Sequence, residues 1–154
     1  MISEKYLNLL DTLYVEPDLT LDYVWLDLQT NWKYGIHSRI KDTLITLAEV
    51  SYTMLSHELL IPLPACILRA KDLHRRKNAG YSGVDNPDPW DNFRECETFG
   101  ISAVDGCLTR LCDKYRRYKN ITTNPANEQV GENVAEALVD LGAYSLILIC
   151  LLEE

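Results

Sequence analysis

The sequence has few of the features that mark exported, membrane-spanning or thiolate-metal proteins. Its five cysteines form no C-x-x-C pair and lie mostly in apolar runs, which favours reduced, buried thiols over a metal or redox site. The N-terminus has neither a basic stretch nor a small-residue cleavage site, so we expect no export signal. The longest apolar run, residues 141–152, is shorter than the roughly 20 residues that span a bilayer. We therefore expect a cytoplasmic protein with no membrane partner.

Basic residues are also scarce. The chain has 15 Lys and Arg against 23 Asp and Glu, which gives a formal net charge of −8 and a pI near 4.9. A general duplex nucleic-acid binder needs a basic surface to displace counterions, so we expect no duplex partner. A length of 154 residues with 47% hydrophobic residues suits one globular core, and we expect a single domain.

No segment sustains the period-two alternation of a half-buried strand, whereas apolar residues recur at intervals of three and four. This pattern predicts an all-α fold. Prolines and the glycine-containing segment at 80–89 mark the breaks. We predict that Asp88 caps a helix that starts at Pro89, and that Asn124 caps the last helix. The predicted helices cover about residues 3–14, 20–32, 36–59, 64–78, 89–98, 103–119 and 126–152.

The last predicted helix carries acids four residues apart and no lysine or arginine. Such residues share one helix face, and each like-charged pair costs roughly 0.2–0.5 kcal/mol. One interpretation is a solvated acidic face near a helix N-terminus, where acids are favourable. The other is a divalent-metal site, for which hard oxygen ligands select Mg²⁺ or Mn²⁺. The acids are Glu128, Glu132, Glu136 and Asp140.

The preceding helix has a charged face of the opposite character. Its members lie within about 100° of one another, on the side away from the apolar face. They are Arg110, Asp113, Lys114 and Arg117. Such a face can simply be solvated and crossed by i,i+4 ion pairs. Beside an anionic helix it can instead bind phosphate, because phosphate oxygens need cationic donors and a bridging metal.

A third charged segment, the cationic residues 75–77, ends a predicted helix just before a turn at 80–83. The helix dipole favours cations at that position, which is one sufficient reason for them. The alternative interpretation is that Lys77 contacts a phosphate and Tyr81 a base. The three histidines are isolated in the sequence, and we assign none of them a catalytic role.

These segments together resemble a known family. The stretches "RKNAGYSG", "DPWDNF", "RLCDKYRRY" and "ENVAEALVDLGAY" are similar to the nucleotide modification associated domain 1 group of bacteriophage genomes. That group is itself similar to the all-α NTP pyrophosphohydrolases of the MazG and dimeric dUTPase type. The resemblance covers about residues 60–152. It implies a MazG-like nucleotide-binding core at 61–154, on which residues 1–60 pack as an N-terminal helical extension.

The resemblance further implies an Mg²⁺-dependent (or Mn²⁺-dependent) nucleoside triphosphate pyrophosphohydrolase of phage type. Such a protein would act in the host cytoplasm and would form a homo-oligomer. The positions that match the family pattern imply catalytic residues Glu132, Glu136 and Asp140, metal ligands that add Asp113 to these three, and substrate-binding residues Lys77, Tyr81, Asn92, Arg110 and Lys114. Arg117 is added to the substrate-binding residues because it shares the charged helix face with Arg110 and Lys114.

The sequence departs from the MazG pattern at one important place. It has no E-x-x-E pair on an earlier helix, and Glu95 and Glu97 are two apart, so they point in different directions on a helix. Two other functions therefore stay open. One is a non-catalytic protein that binds a nucleotide or sequesters a nucleotide signal. The other is a helical oligomerisation module whose charged faces pair between subunits.

Overall fold

The structure is a computed structural model that describes residues 3–13, 20–131 and 133–154. Within these ranges the chain is all-helical, as the apolar periodicity predicts. The α-helices are α1 (Glu4–Asp11), α2 (Leu21–Lys33), α3 (His37–Leu59), α4 (Leu63–Ser82), α5 (Asp91–Arg94), α6 (Ala103–Thr123) and α7 (Val134–Leu152). Short 3₁₀ helices follow α5 at Glu95–Phe99 and α6 at Pro125–Asn127.

Helix starts are encoded locally by capping side chains. At four of them the side-chain oxygen of the residue before the helix accepts a hydrogen bond from a backbone N–H of the first turn. These caps satisfy amides that have no partner inside the helix. The capping residues are Ser3, Thr20, Ser102 and Asn133.

The predicted start of the last helix is wrong. Asn124 caps the 3₁₀ helix through a hydrogen bond from the Ala126 N–H, and Asn133 caps α7 instead. Between them Gly131 has a φ of +79°. This left-handed backbone conformation is incompatible with a continuous right-handed α-helix. The Glu128 carboxylate accepts hydrogen bonds from the N–H groups of Val130 and Gly131. Glu128 therefore belongs to a turn, and the four acids do not lie on one helix.

Several further boundaries differ from the prediction, and two of them affect residues of the predicted site. The α4 helix continues to Ser82, so Lys77 and Tyr81 both lie on it, and the chain leaves the helix at Gly83, whose φ is +94°. The next helix starts at Asp91, and Asp88 accepts a hydrogen bond from the Trp90 N–H just before it. Local turn geometry overrides the simple proline and glycine signals at both places.

The last helix, α7, is the centre of the fold. It packs against α3 on one side and α6 on the other. Helix α7 is the one element of the described chain long and apolar enough to cross a membrane, and 67% of its most apolar window is buried inside the protein. A helix enclosed by other helices is apolar on all sides for that reason.

Helices α1 to α3 share this core with the rest of the chain. Tyr6, Leu10, Val24 and Leu44 are buried in the same hydrophobic cluster as Leu141. The first 60 residues are therefore not peripheral to the packing of α7. This arrangement brings side chains of α1 and α3 to the site described below.

All five cysteines are free, and Cys66, Cys107 and Cys150 are buried, as expected for small apolar side chains. Burial raises the pKa of Cys107 to about 12 and that of Cys150 to about 11. Both therefore stay protonated near neutral pH, which makes them poor nucleophiles. Cys112 is exposed and Cys96 is half-buried.

Candidate functional site: an aromatic cavity beside a cationic groove

An aromatic cavity of about 50 Å³ lies where α1, α3, α4, α7 and the segment around α5 meet. Its walls are formed by a chain of ring contacts. The Tyr6 and His74 rings stack with centroids 3.9 Å apart, and Trp90 lies 5.7 Å from His74. Phe93 contacts Trp90 and Tyr144 edge to face, at 6.3 and 6.1 Å. Such a lining favours a flat ring.

Asp140 forms an ion pair with two lysines at the edge of this cavity. One of its carboxylate oxygens accepts a hydrogen bond from Lys77 Nζ at 2.8 Å, and the other lies 2.9 Å from Lys114 Nζ. The three residues come from α7, α4 and α6. Asp140 is 7% exposed, and a buried carboxylate needs such partners because desolvation penalises its charge. The trio carries a net charge of +1.

An open groove of about 810 Å³ lies on the other side of this ion pair. Leu73, Lys77, Val139 and Asp140 line both the cavity and the groove, so they form the wall between them. The groove is cationic on balance, although the whole protein has a net charge of −8. Its charged lining consists of four cations, Arg69, Arg76, Lys77 and Lys114, and three acids, Asp72, Glu136 and Asp140.

Burial shifts the pKa values of the histidine and two tyrosines of the cavity in the direction that favours their uncharged forms. Desolvation, helped by the charge of Arg75, lowers the pKa of His74 to about 4. Desolvation also raises the pKa of Tyr6, and that of Tyr144, to which the Asp140 carboxylate adds. At neutral pH the cavity therefore presents an uncharged imidazole and uncharged phenols, while the charge is confined to the Asp140 ion pair.

The structure brings together four of the six residues predicted to bind substrate. Lys77 and Lys114 meet at Asp140, and Lys77, Tyr81 and Asn92 line the cavity. The Asn92 side chain accepts a hydrogen bond from the Ser82 hydroxyl at 3.1 Å. Tyr81 is largely exposed at the rim. The separate sequence signals around α4 and α5 thus converge on one place.

The other two predicted substrate-binding residues lie elsewhere on α6. The Arg110 guanidinium lies over the Phe93 ring, 4.7 Å from its centroid, and lines a shallow surface pocket beyond the cavity. Arg117 is absent from the lining of the cavity and of the groove, and so is the exposed Asp113. The charged face of α6 is thus divided, and Lys114 alone among its four members reaches the site.

The predicted metal ligands are only partly placed. Glu132 lies outside the described residues, Asp113 faces solvent, and Glu136 is exposed at the groove. No group of three or more His, Cys, Asp and Glu side chains suited to a cation occurs in the described ranges. Both oxygens of Asp140 face lysines. The described residues therefore do not fit Mg²⁺ or Mn²⁺, and the four-ligand set stays a prediction.

Several cavity residues were not predicted as site residues. Tyr6, Tyr52, His74 and Trp90 lie in four different segments. Their sequence spacing carries no sign that they meet. One available signal is Gly142 in the apolar α7 helix, because a Cβ there would lie 2.5 Å from Cζ of Tyr52. A glycine inside a helix costs about 0.5–1 kcal/mol relative to alanine, so close packing is a reason to keep it.

No protein-family model matches the chain, and neither a curated protein nor a solved structure is similar to it. The resemblance to the nucleotide modification associated domain 1 group therefore stays a prediction, and the site has to be interpreted from its own geometry.

Proposed function

We propose that the protein binds a nucleotide, with the ring in the aromatic cavity and the phosphates on Lys77 and Lys114 in the groove. The observation that carries this proposal is that one wall, containing the Asp140 ion pair, separates an aromatic cavity from a cationic groove. A nucleotide likewise has a planar base and an anionic phosphate chain. This function is the non-catalytic alternative predicted from the sequence.

Both lysines line the groove while they hold Asp140. The Lys77 ammonium group has three N–H donors, and its hydrogen bond to Asp140 uses one of them. The Lys77 side chain is 47% exposed and that of Lys114 is 25% exposed, so neither is enclosed by the protein. Charge-assisted hydrogen bonds contribute roughly 1.5–3 kcal/mol each.

The cavity supplies the second half of the affinity. Stacking of a base on an aromatic side chain contributes roughly 1–3 kcal/mol. Trp90 and Phe93 are buried and held edge to face, so they lose little conformational entropy when a ring enters. A flat, polar ring with a phosphate chain can contact the aromatic cavity and the cations of the groove together, whereas free phosphate can contact only the groove.

Hydrolysis with Mg²⁺ is the second candidate function. The observation in its favour is that Glu136 and Asp140 lie one turn apart on α7 and both line the groove. Because the described residues do not fit a divalent cation, binding is the stronger proposal. The phage type, the homo-oligomeric state and the cytoplasmic location implied by the resemblance accompany either function as expectations.

Calorimetric titration with ATP, GTP, CTP, UTP and inorganic tripolyphosphate, with and without Mg²⁺, tests the proposal. We expect at least one nucleotide to bind, and to raise the free energy of unfolding by about 2.7 kcal/mol at 100 times its Kd. Lys77→Ala and Lys114→Ala should each weaken binding about tenfold or more, which is at least ~1.4 kcal/mol.

Lys33→Ala is the matched control. Lys33 lies over the Tyr34 ring at the end of α2, away from the groove, so its loss should leave nucleotide affinity unchanged. Absence of binding by every nucleotide would overturn the proposal and leave the oligomerisation module as the remaining interpretation. Release of phosphate or pyrophosphate during the titration would establish the second candidate.

A further inference from the structure

Three buried polar atoms of residues that line the aromatic cavity have no hydrogen-bond partner outside their own group. They are the hydroxyl oxygens of Tyr6 and Tyr52 and the Nε2 atom of His74. The two tyrosine hydroxyls interact with each other, which leaves one hydroxyl hydrogen without an acceptor. An unpaired buried polar group costs roughly 1–3 kcal/mol. The polar edge of a ligand would therefore supply partners that the protein does not.

The three groups are held rigidly by packing. The Tyr6 ring lies on the His74 ring at an interplanar angle of 26°. Tyr52 reaches the cavity across α7 at Gly142, where any Cβ would collide with its ring. Tyr6 comes from α1, Tyr52 from α3 and His74 from α4. All three side chains are buried and line the cavity, so an occupant of the cavity is the candidate partner for their polar atoms.

Their chemistry suits a ring that carries both donors and acceptors. Each phenol can donate one hydrogen bond and accept others, and a neutral imidazole offers one donor and one acceptor nitrogen. An apolar ring would leave these groups unpaired. A site that is built to hydrogen-bond a polar group discriminates strongly against analogues that lack it, because its own buried groups would then stay unsatisfied.

We infer that Tyr6, Tyr52 and His74 determine base specificity, by hydrogen bonding to the polar edge of a nucleobase whose phosphates lie in the groove. This inference rests on the proposed nucleotide binding. It assigns a role to the N-terminal helices, because α1 and α3 supply two of the three residues. The ligand class is a nucleotide with an intact heteroaromatic base, and the base makes the selective contacts.

The test compares base selectivity with phosphate affinity in hydroxyl-deletion variants. Affinities for ATP, GTP, CTP, UTP and inorganic tripolyphosphate are measured for the wild type, Tyr6→Phe, Tyr52→Phe and His74→Gln. We expect the wild type to prefer one base at least tenfold over the weakest binder. Each Phe variant should reduce that ratio about tenfold and leave the tripolyphosphate affinity unchanged.

Tyr115→Phe is the matched control. The Tyr115 hydroxyl donates to Asp22 at 2.6 Å, outside the cavity, so its loss should not alter the affinity ratios. Thermal unfolding separates specificity from structure. Because the Tyr6 and Tyr52 hydroxyls interact only with each other, removal of either should lower the free energy of unfolding by no more than about 1–2 kcal/mol.

The outcomes distinguish the two proposals. Equal wild-type affinity for all four nucleotides, or unchanged ratios in the folded variants, would overturn the specificity role and leave nucleotide binding in place. Failure of the wild type to bind any nucleotide would overturn both. Any one of the three variants that folds is sufficient for this comparison, because each removes or changes a different group of the same surface.

Discussion

The two sides of the Asp140 ion pair differ in almost every physical respect. The aromatic cavity is lined mainly by aromatic and aliphatic side chains, and desolvation moves the pKa values of its histidine and tyrosines further toward the uncharged forms. The groove is open and carries seven charged side chains. The same helices, α4 and α7, line both compartments. The difference shows that the position of a residue around the helix decides whether its side chain contributes packing or charge.

The largest predicted effect tests whether the cavity keeps His74 neutral. The unfolded chain binds a proton on this histidine near pH 6.5 and the folded chain only near pH 4. Between these values the unfolded state holds more protons, so the free energy of unfolding falls as the pH falls. We expect the titration of this histidine alone to lower the free energy of unfolding by about 3 kcal/mol between pH 7 and pH 4.

Urea unfolding of the wild type and of His74→Phe at pH 7, 5.5 and 4 measures this effect. Phenylalanine keeps the ring contacts with Tyr6 and Trp90 and removes the titration. The carboxylates titrate in both proteins, so the difference between the two pH profiles isolates the histidine. Identical profiles would show that His74 accepts a proton in the folded state at its ordinary pKa.

The second prediction concerns the close contact that positions Tyr52 in the cavity. We expect Gly142→Ala to lower the free energy of unfolding by about 1–3 kcal/mol, because the new methyl group overlaps the Tyr52 ring. Gly80→Ala is the control, since a Cβ at Gly80 in α4 meets nothing within 4 Å. That change should be stabilising by about 0.5–1 kcal/mol through helix propensity. Chemical denaturation of both variants and the wild type measures these changes. If Gly142→Ala is as stable as the wild type, the Tyr52 ring moves aside without loss of stability.

The third prediction concerns Asp140, which lies between the cavity and the groove, and it distinguishes nucleotide binding from metal-dependent hydrolysis. Asp140→Asn removes one negative charge beside Lys77 and Lys114, so affinity for inorganic tripolyphosphate should rise about three- to tenfold. Stability should fall by about 1 kcal/mol, because both lysines can turn to solvent. Glu136→Gln, at the exposed edge of the groove, should change affinity less. Loss of nucleotide binding in Asp140→Asn would instead indicate that this carboxylate holds a metal, as the hydrolase prediction requires.

The smallest predicted effect concerns Arg110. Its guanidinium stacks on Phe93 outside the groove, so Arg110→Ala should lose about 0.5–1 kcal/mol of cation–π stabilisation. Nucleotide affinity should change less than threefold, in contrast to the large loss expected for Lys114→Ala one turn away. Calorimetric titration of the two variants side by side measures the contrast. A loss of nucleotide affinity comparable to that of Lys114→Ala would show that Arg110 also contacts the phosphates.

Much of the fold could be predicted from local sequence pattern. The apolar spacing in α2 and α3 predicts these helices with boundaries close to those observed, because periodicity and caps act within a few residues. The start of α7 could not be predicted in this way. Asn124 and Asn133 are both good caps, and the choice between them depends on the turn at Gly131 and on packing of the chain around it.

The candidate site divides in the same manner. Lys114 and Asp140 could be selected from the sequence because opposite charges at helical spacing suggest facing surfaces. Lys77 could be selected because it ends a predicted helix just before the turn at 80–83. Arg110, Arg117 and Asp113 share that spacing with Lys114, yet they point elsewhere. The direction of each side chain around α6 depends on how that helix is rotated about its axis where it packs on α7. Apolar periodicity does not define this rotation to better than about one residue.

By itself the sequence determined the helical class, the position of most helices and the charge character of α6, because these follow from interactions between near neighbours. Only the tertiary structure decided that Tyr6, Tyr52 and His74 meet at one cavity and that both oxygens of Asp140 face lysines. These groups come from helices far apart in the chain, and their meeting depends on the long-range packing of α1, α3 and α4 around α7.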